Sequence, residues 1–269
     1  LFVNATFENT IGLSRRTLMR SRLGDWFVDR HPLTDTLAAV ARNEIATGRF
    51  DGVISLEHLD EHGSDIAHVR ELPWISCSEF MPGSGVPYVS IDHSQAAVDA
   101  VQYLVNKGHR RIALITADET YRWARLRREG YEQDLSRAGQ AQDPPLVRTA
   151  ANTADAAGSQ AASGLLALFD PPTAIFAVSD TLAIGAIKGL LRAGRRVPQD
   201  VAVVGFDDIE ECSQVFPALS TVHCGIAEFG RSIADTILAW LEEGKRPEPE
   251  TLTPVELVIR DTSGVRDIR

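Results

Sequence analysis

The chain has 269 residues, 44% hydrophobic and 24% charged, with 27 Lys and Arg against 37 Asp and Glu, a formal net charge of −10. That length buries a substantial core, as one large α/β unit or as two lobes of ordinary size. The acidic balance repels a phosphate backbone and argues against nucleic-acid binding through the bulk surface. Three widely spaced cysteines, Cys77, Cys212 and Cys224, argue against a disulfide framework and for a reducing compartment. Neither a leader-like start nor an apolar run of membrane-spanning length is present, so the expected location is cytoplasmic, away from membranes.

Leu1 to Phe7 reads as a short strand, Trp26 to Val28 as a second, and Asp35 or Thr36 as the cap of a helix through Ile45. Strands are predicted at Gly52–Leu56, Leu72–Cys77 and Tyr88–Ile91. Asp92 then precedes a long helix that carries Ala96, Ala97, Ala100, Val101, Leu104 and Val105 inward and stops at Gly108. A strand at Ile112–Ile115 and a basic helix from Tyr121 to Gly139 follow. Leu146–Val147 reads as a short strand and Ala156–Phe169 as an alanine-rich helix.

The most legible stretch is Thr173 to Glu211. The apolar run Ala174–Val178 ends at Ser179-Asp180, and a helix follows with Leu182, Ala183, Ala186, Ile187, Leu190 and Leu191 on one face. Gly194 sits where a C-cap glycine belongs, and a second buried strand, Val201–Gly205, leads into Phe206-Asp207-Asp208. Strand, acidic residue, helix, glycine stop and strand also describes the segment around Asp92, which suggests an internal duplication. An amphipathic helix, Ile226–Leu241, and a last strand, Val255–Arg260, complete an α/β chain with mostly parallel sheets.

Parallel strands finish along one edge, where open α/β sheets bind ligands, so Asp180 and Asp207 are expected to face one crevice. Each carboxylate has a local alternative, capping the next helix or satisfying loop amides. Asp208 beside Asp207 is free for such duty, which favours Asp207 as the ligand acceptor. Of the basic residues Arg122, Arg125, Arg127 and Arg128, helical spacing lets only one or two enter a cleft. Carboxylates facing one guanidinium suit a polyol, since a hydroxyl donates to Asp and accepts from Arg; an amino acid or a purine fits the same groups. The sequence contains no GxGxxG after a strand, P-loop lysine, GxSxG or nucleophile–histidine pairing, which argues against an enzyme and implies no cofactor. His58 and His62 among Glu57, Asp60 and Glu61 have a metal-compatible spacing, but a solvated polar loop accounts for them as well.

The runs VSIDHSQAAVDAVQYLVNKGHRRIALIT, RLRREGYEQDL, TAIFAVSDTLAIGAIKGLLRAGRRVPQDVAVVGFDD and FPALSTVHCGIAEFGRSIADTILAWLEEG, followed by PVELVIRDTSG, resemble the regulatory core of the lactose-repressor/galactose-repressor family of bacterial transcription regulators. The resemblance covers Gly52 to Gly264 in consistent order. It implies a periplasmic-binding-protein-like fold of two lobes joined by three crossovers. Leu1–Ala117 plus Cys224–Leu257 would form the first lobe, and Asp118–His223 plus the tail the second.

A small effector, a sugar or nucleoside-type molecule, would sit between the lobes, and the core would form a homodimer. Operator DNA would be bound only through an N-terminal headpiece, so the chain is expected to be a piece of a longer regulator. Carried over residue by residue, the effector-binding positions are Arg127, Ser179, Asp180, Asp207 and Asp92, with Trp123, Thr153 and Cys224 at pocket-lining positions. Phe7 and Ser55, with Asn4, would supply the first-lobe wall, although Leu1–Asp25 lacks the usual Asn-Pro-Phe-Phe type segment. The competing expectation is a solute-binding protein of an ABC importer, which shares the fold.

Overall fold

The computed structural model describes residues 52–55, 73–77, 85–140 and 143–264. Expectations for Asn4, Phe7 and the 58–62 histidine cluster lie outside these residues. Two compact units are found among them: a smaller one of residues 52–55, 73–77, 85–87 and 233–247, and a larger one of residues 88–140, 143–232 and 248–264.

In the smaller unit β1 (Val53–Ser55) and β2 (Trp74–Cys77) pair in parallel, Ser55 opposite Ser76, and every residue of β2 is buried. Ile237 of α6 (Ile226–Glu243) is also part of this unit's buried surface.

The larger unit is built on a six-stranded sheet. Its strands are β4 (Ile112–Thr116), β5 (Val147–Thr149), β6 (Ala174–Ala177), β7 (Ala202–Asp207), β8 (Ser220–His223) and β10 (Glu256–Val258), in the order β10-β8-β7-β6-β4-β5. All pairings are parallel except that of β10 with β8. The central strands are buried along nearly their whole length, as apolar runs covered by helices on both faces should be. Phe176, Phe206, Ile115, Leu182 and Leu190 fill this core. A parallel pair, β3 (Tyr88–Ile91) with β9 (Glu250–Thr253), belongs to the same unit. Since β4 hydrogen-bonds β5 and β6, Ile112–Thr116 lies with the strands expected in the second lobe, not with the first lobe that was expected to run to Ala117.

The helices among the described residues follow the predicted periodicity, and the one expected through Ile45 lies outside these residues. They are α1 (His93–Asn106), α2 (Arg122–Arg137), α3 (Asp155–Leu166), α4 (Asp180–Arg192), the short α5 (Glu211–Gln214) and α6. Gly194 adopts φ +72, the left-handed C-cap, while Leu191, expected inward, is 44% exposed. Helices α3 and α4 approach so closely that a Cβ on Gly158 would lie 2.2 Å from Leu182 O, one on Gly185 1.9 Å from Asp155 O, and one on Gly189 2.8 Å from Ser159 O. No described helix is long and apolar enough to cross a membrane.

Candidate functional site

The end of β7 carries two consecutive non-glycine residues with positive φ, Asp207 at 114° and Asp208 at 57°. Such backbone costs on the order of 1–3 kcal/mol per residue and persists only where the surroundings hold it. Asp208 is held by two side chains: its Oδ1 forms an ion pair with Arg260 at 2.8 Å and its Oδ2 lies 2.8 Å from His223 Nδ1. Asp208 thus anchors the turn by ion pairing and not by helix capping.

The consequence falls on Asp207. Its side chain is 35% exposed and accepts from Arg127 Nη2 at 3.2 Å, leaving acceptor capacity toward solvent. Burial raises the carboxyl pKa, against the Arg127 guanidinium that lowers it.

Arg127 is buried on α2 at 5% exposure. It lies 3.5 Å from the centroid of the Phe206 ring and 5.0 Å from that of Trp123, and one terminal N–H donates to the Val178 carbonyl. Burial lowers its pKa, and Asp207 is the main opposing influence. Trp123 is half-buried and stacks on Tyr121, centroids 5.8 Å apart.

Asp180 behaves differently from its expectation. It is 1% exposed, with Oδ1 accepting from the Thr221 hydroxyl at 2.5 Å and Oδ2 from the Ile209 amide at 3.0 Å. Gly205 makes room for it, since a Cβ there would sit 2.2 Å from Asp180 Oδ1. Burial lifts its pKa to about 6, against the Thr221 and Ile209 hydrogen bonds. Asp180 therefore does not share an open crevice with Asp207; it ties α4 to β8 and to the turn after Asp208.

Ser179, 8% exposed, is the N-cap of α4, its Oγ accepting from Leu182 N at 3.5 Å. Asp92 is an exposed N-cap of α1, with Oδ1 accepting from Gln95 N at 2.9 Å. Thr153 is exposed. Cys224 is buried, and its thiol is pushed up to about 12 by burial and then by Asp207. Ser55 lies in β1 of the smaller unit.

One participant escaped the sequence reading. His93, 5% exposed at the start of α1, accepts from Arg127 Nε through Nδ1 at 3.3 Å, and its ring centroid is 6.2 Å from that of Phe206. A histidine directly after a capping aspartate carries no spacing signal for an arginine 34 positions on.

Hollows of about 250 Å³ beside Arg128 and Tyr131 and of about 890 Å³ along Pro198, Phe216 and Arg260 take in neither Arg127 nor Asp207. The chemistry points to the β7 end instead, because there a buried cation meets a carboxylate that is still open. Among the described residues no group of three or more His, Cys, Asp or Glu could hold a metal ion.

Residues 101–263 match the family of periplasmic binding protein-like domains. The chain is 35% identical over 220 residues to the HTH-type transcriptional repressor CytR of Escherichia coli K12, covering 81% of this chain and 64% of the repressor. It is 30% identical to the HTH-type transcriptional regulator CelR of Thermobifida fusca, covering 97% of this chain and 70% of CelR. A solved sugar-binding transcriptional regulator of the LacI family from Escherichia coli, complexed with phosphate, superposes with a TM-score of 0.75 at 28% identity, covering 85% of this chain and 82% of that one. A family match over more than half of the sequence, a regulator matched across most of both lengths and a shared α/β architecture have one explanation: the chain belongs to the lactose-repressor/galactose-repressor family, with its periplasmic-binding-protein-like fold.

Proposed function

We propose that this chain is the effector-binding and dimerisation core of a transcription regulator that senses a small polyhydroxylated molecule, a sugar or a nucleoside, at Asp207 and Arg127. The Arg127–Asp207 pair carries the reading: a carboxylate with free lone pairs beside a guanidinium offers a hydroxyl an acceptor and a donor together. The charge balance narrows the ligand further. Arg127 is already matched by Asp207, and Asp180 is a second buried carboxylate nearby, so among the described residues the positive charge of Arg127 is compensated, which favours a neutral hydroxylated ligand over a phosphate or a uronate.

The sugar-binding Escherichia coli regulator and the HTH-type relatives support the role. The chain matches about 64% of the length of CytR, and in this reading operator binding would fall to a headpiece outside the matched core. Lobe closure around the effector, a homodimer and a cytoplasmic location complete the proposal, because a ligand that binds one arrangement better shifts the population toward it.

A melting-temperature screen of sugars, polyols and nucleosides tests the reading, since a ligand of the folded state raises the midpoint. Asp207→Ala is expected to lower the affinity of the best ligand by more than about 100-fold, as the loss of charged acceptor bonds implies. The variant should still melt cooperatively, at a lower midpoint because Arg127 loses its counter-charge. Parental affinity in Asp207→Ala would place the ligand elsewhere.

A further inference from the structure

The Arg127 guanidinium is fixed from three sides and on one face. Nε–H donates to His93 Nδ1, one terminal nitrogen to the Val178 carbonyl, the other to Asp207, and Phe206 lies beneath the plane. Val178 and Asp207 sit at the ends of neighbouring strands, where either terminal nitrogen of a turning guanidinium can serve them. Nε carries a single N–H in one direction, so its acceptor decides the rotation.

That acceptor comes from another part of the chain, the second residue past β3. Because Arg127 has to donate, Nδ1 must be bare and the imidazole neutral, with its proton on Nε2. Burial, then the charges of Arg127 and Arg122, push the His93 pKa down to about 3, so this state persists through the physiological range. Nε2 itself is buried and meets no hydrogen-bond partner among the described residues.

Resting on the effector-site reading above, we propose that His93 is a positioning residue of that site, whose bare Nδ1 sets the rotation of Arg127 and thereby selects the N–H groups left for a ligand at Asp207. An arginine has five N–H groups, and three are taken. The directions of the remaining two are set by the same rotation, so the spacing and orientation of hydroxyls in a ligand at Asp207 would be selected through His93. A purely structural histidine would make a different prediction. Replacing the ring by an apolar side chain removes a buried donor that has no partner among the described residues but strands the Arg127 Nε–H, opposing changes of about 1–3 kcal/mol each, so the unliganded fold should keep a cooperative transition near the parental midpoint while recognition weakens.

The test uses this chain with whichever of D-ribose, D-glucose or cellobiose raises its melting temperature most. His93→Leu is expected to lose about 10- to 100-fold in affinity, the range for one hydrogen bond to a charged group, with a cooperative unliganded transition near the parental midpoint. His93→Asn places an amide oxygen where Nδ1 stood and is expected to restore affinity to within about three-fold, well inside that range. Nitrogen NMR of the unliganded chain, with the His93 signal assigned through His93→Asn, is expected to show a neutral ring protonated on Nε2 from about pH 5 to 8.

Parental affinity in His93→Leu, a loss in His93→Asn as large as in His93→Leu, or a ring that is charged or protonated on Nδ1 would overturn the proposal. Asp207→Ala separates the two failures. If it keeps affinity, the site reading falls and this inference with it; if it loses affinity while His93→Leu does not, only the role of His93 is refuted.

Discussion

At the end of β6, Asp180 is 1% exposed and both of its oxygens accept hydrogen bonds from the protein, one from Thr221 and one from Ile209. At the end of β7, the neighbouring parallel strand, Asp207 is 35% exposed in its side chain, accepts among the described residues only from Arg127, and sits on a left-handed backbone. In sequence the two ends look alike, an apolar run that breaks into an aspartate. In space one carboxylate is consumed by the fold and the other is presented by it. Partners, more than position on the sheet edge, decide which aspartate is available to a guest.

Breaking the comparison at its buried end has the largest expected effect. Asp180→Ala strands the Thr221 hydroxyl and the Ile209 amide, each at a cost of about 1–3 kcal/mol, so denaturant unfolding should show a loss of about 3 kcal/mol or more. Ligand affinity should change far less than in Asp207→Ala, an opposite pattern that calorimetric titration of both variants would reveal.

The same aspartate predicts a pH dependence. Its folded pKa of about 6 lies above the ordinary value of 3.8, so the native state binds the proton more tightly. The resulting stabilisation is complete below about pH 4 and is lost as pH rises through about 6, amounting to about 2–3 kcal/mol. Asp180→Asn should flatten that part of a urea-unfolding series measured from pH 4 to pH 7.

The exposed end can be sharpened with glycine. Both Asp207→Gly and Asp207→Ala remove the acceptor, but only glycine accepts φ 114° without strain. Thermal unfolding should find the glycine variant more stable than the alanine one by about 1–2 kcal/mol. Asp92→Ala is the mildest change. Losing the α1 cap should cost about 1 kcal/mol and leave ligand affinity where it was.

Much of this scaffold was readable in advance. The β6–α4–β7 segment combines two apolar runs with a helical face and a terminal glycine, signals that depend on residues close in sequence. The family resemblance brought Arg127, Asp180 and Asp207 together as candidate ligand contacts; Arg127 and Asp207 do meet, whereas Asp180 is bonded to the protein instead. The missing pieces are those set by distant contacts. Whether Asp180 is open depends on Thr221, Ile209 and the bare α-carbon of Gly205, 41, 29 and 25 positions away. Asp208 takes Arg260 and His223 as partners for the same reason. The short α5 and β9 carry too few periodic residues to announce themselves. The placement of β4 beside β6 is a matter of topology that no local pattern encodes.

The three glycines between α3 and α4 bear on how a bound molecule is felt. Where Gly158, Gly185 and Gly189 set backbone against backbone, one helix has no room to slide on the other, so the pair is expected to shift together, with Ser179 and Asp180 at the N-terminal end of α4. A ligand docking beside that end would then be expected to displace both helices as a body instead of being accommodated by local yielding.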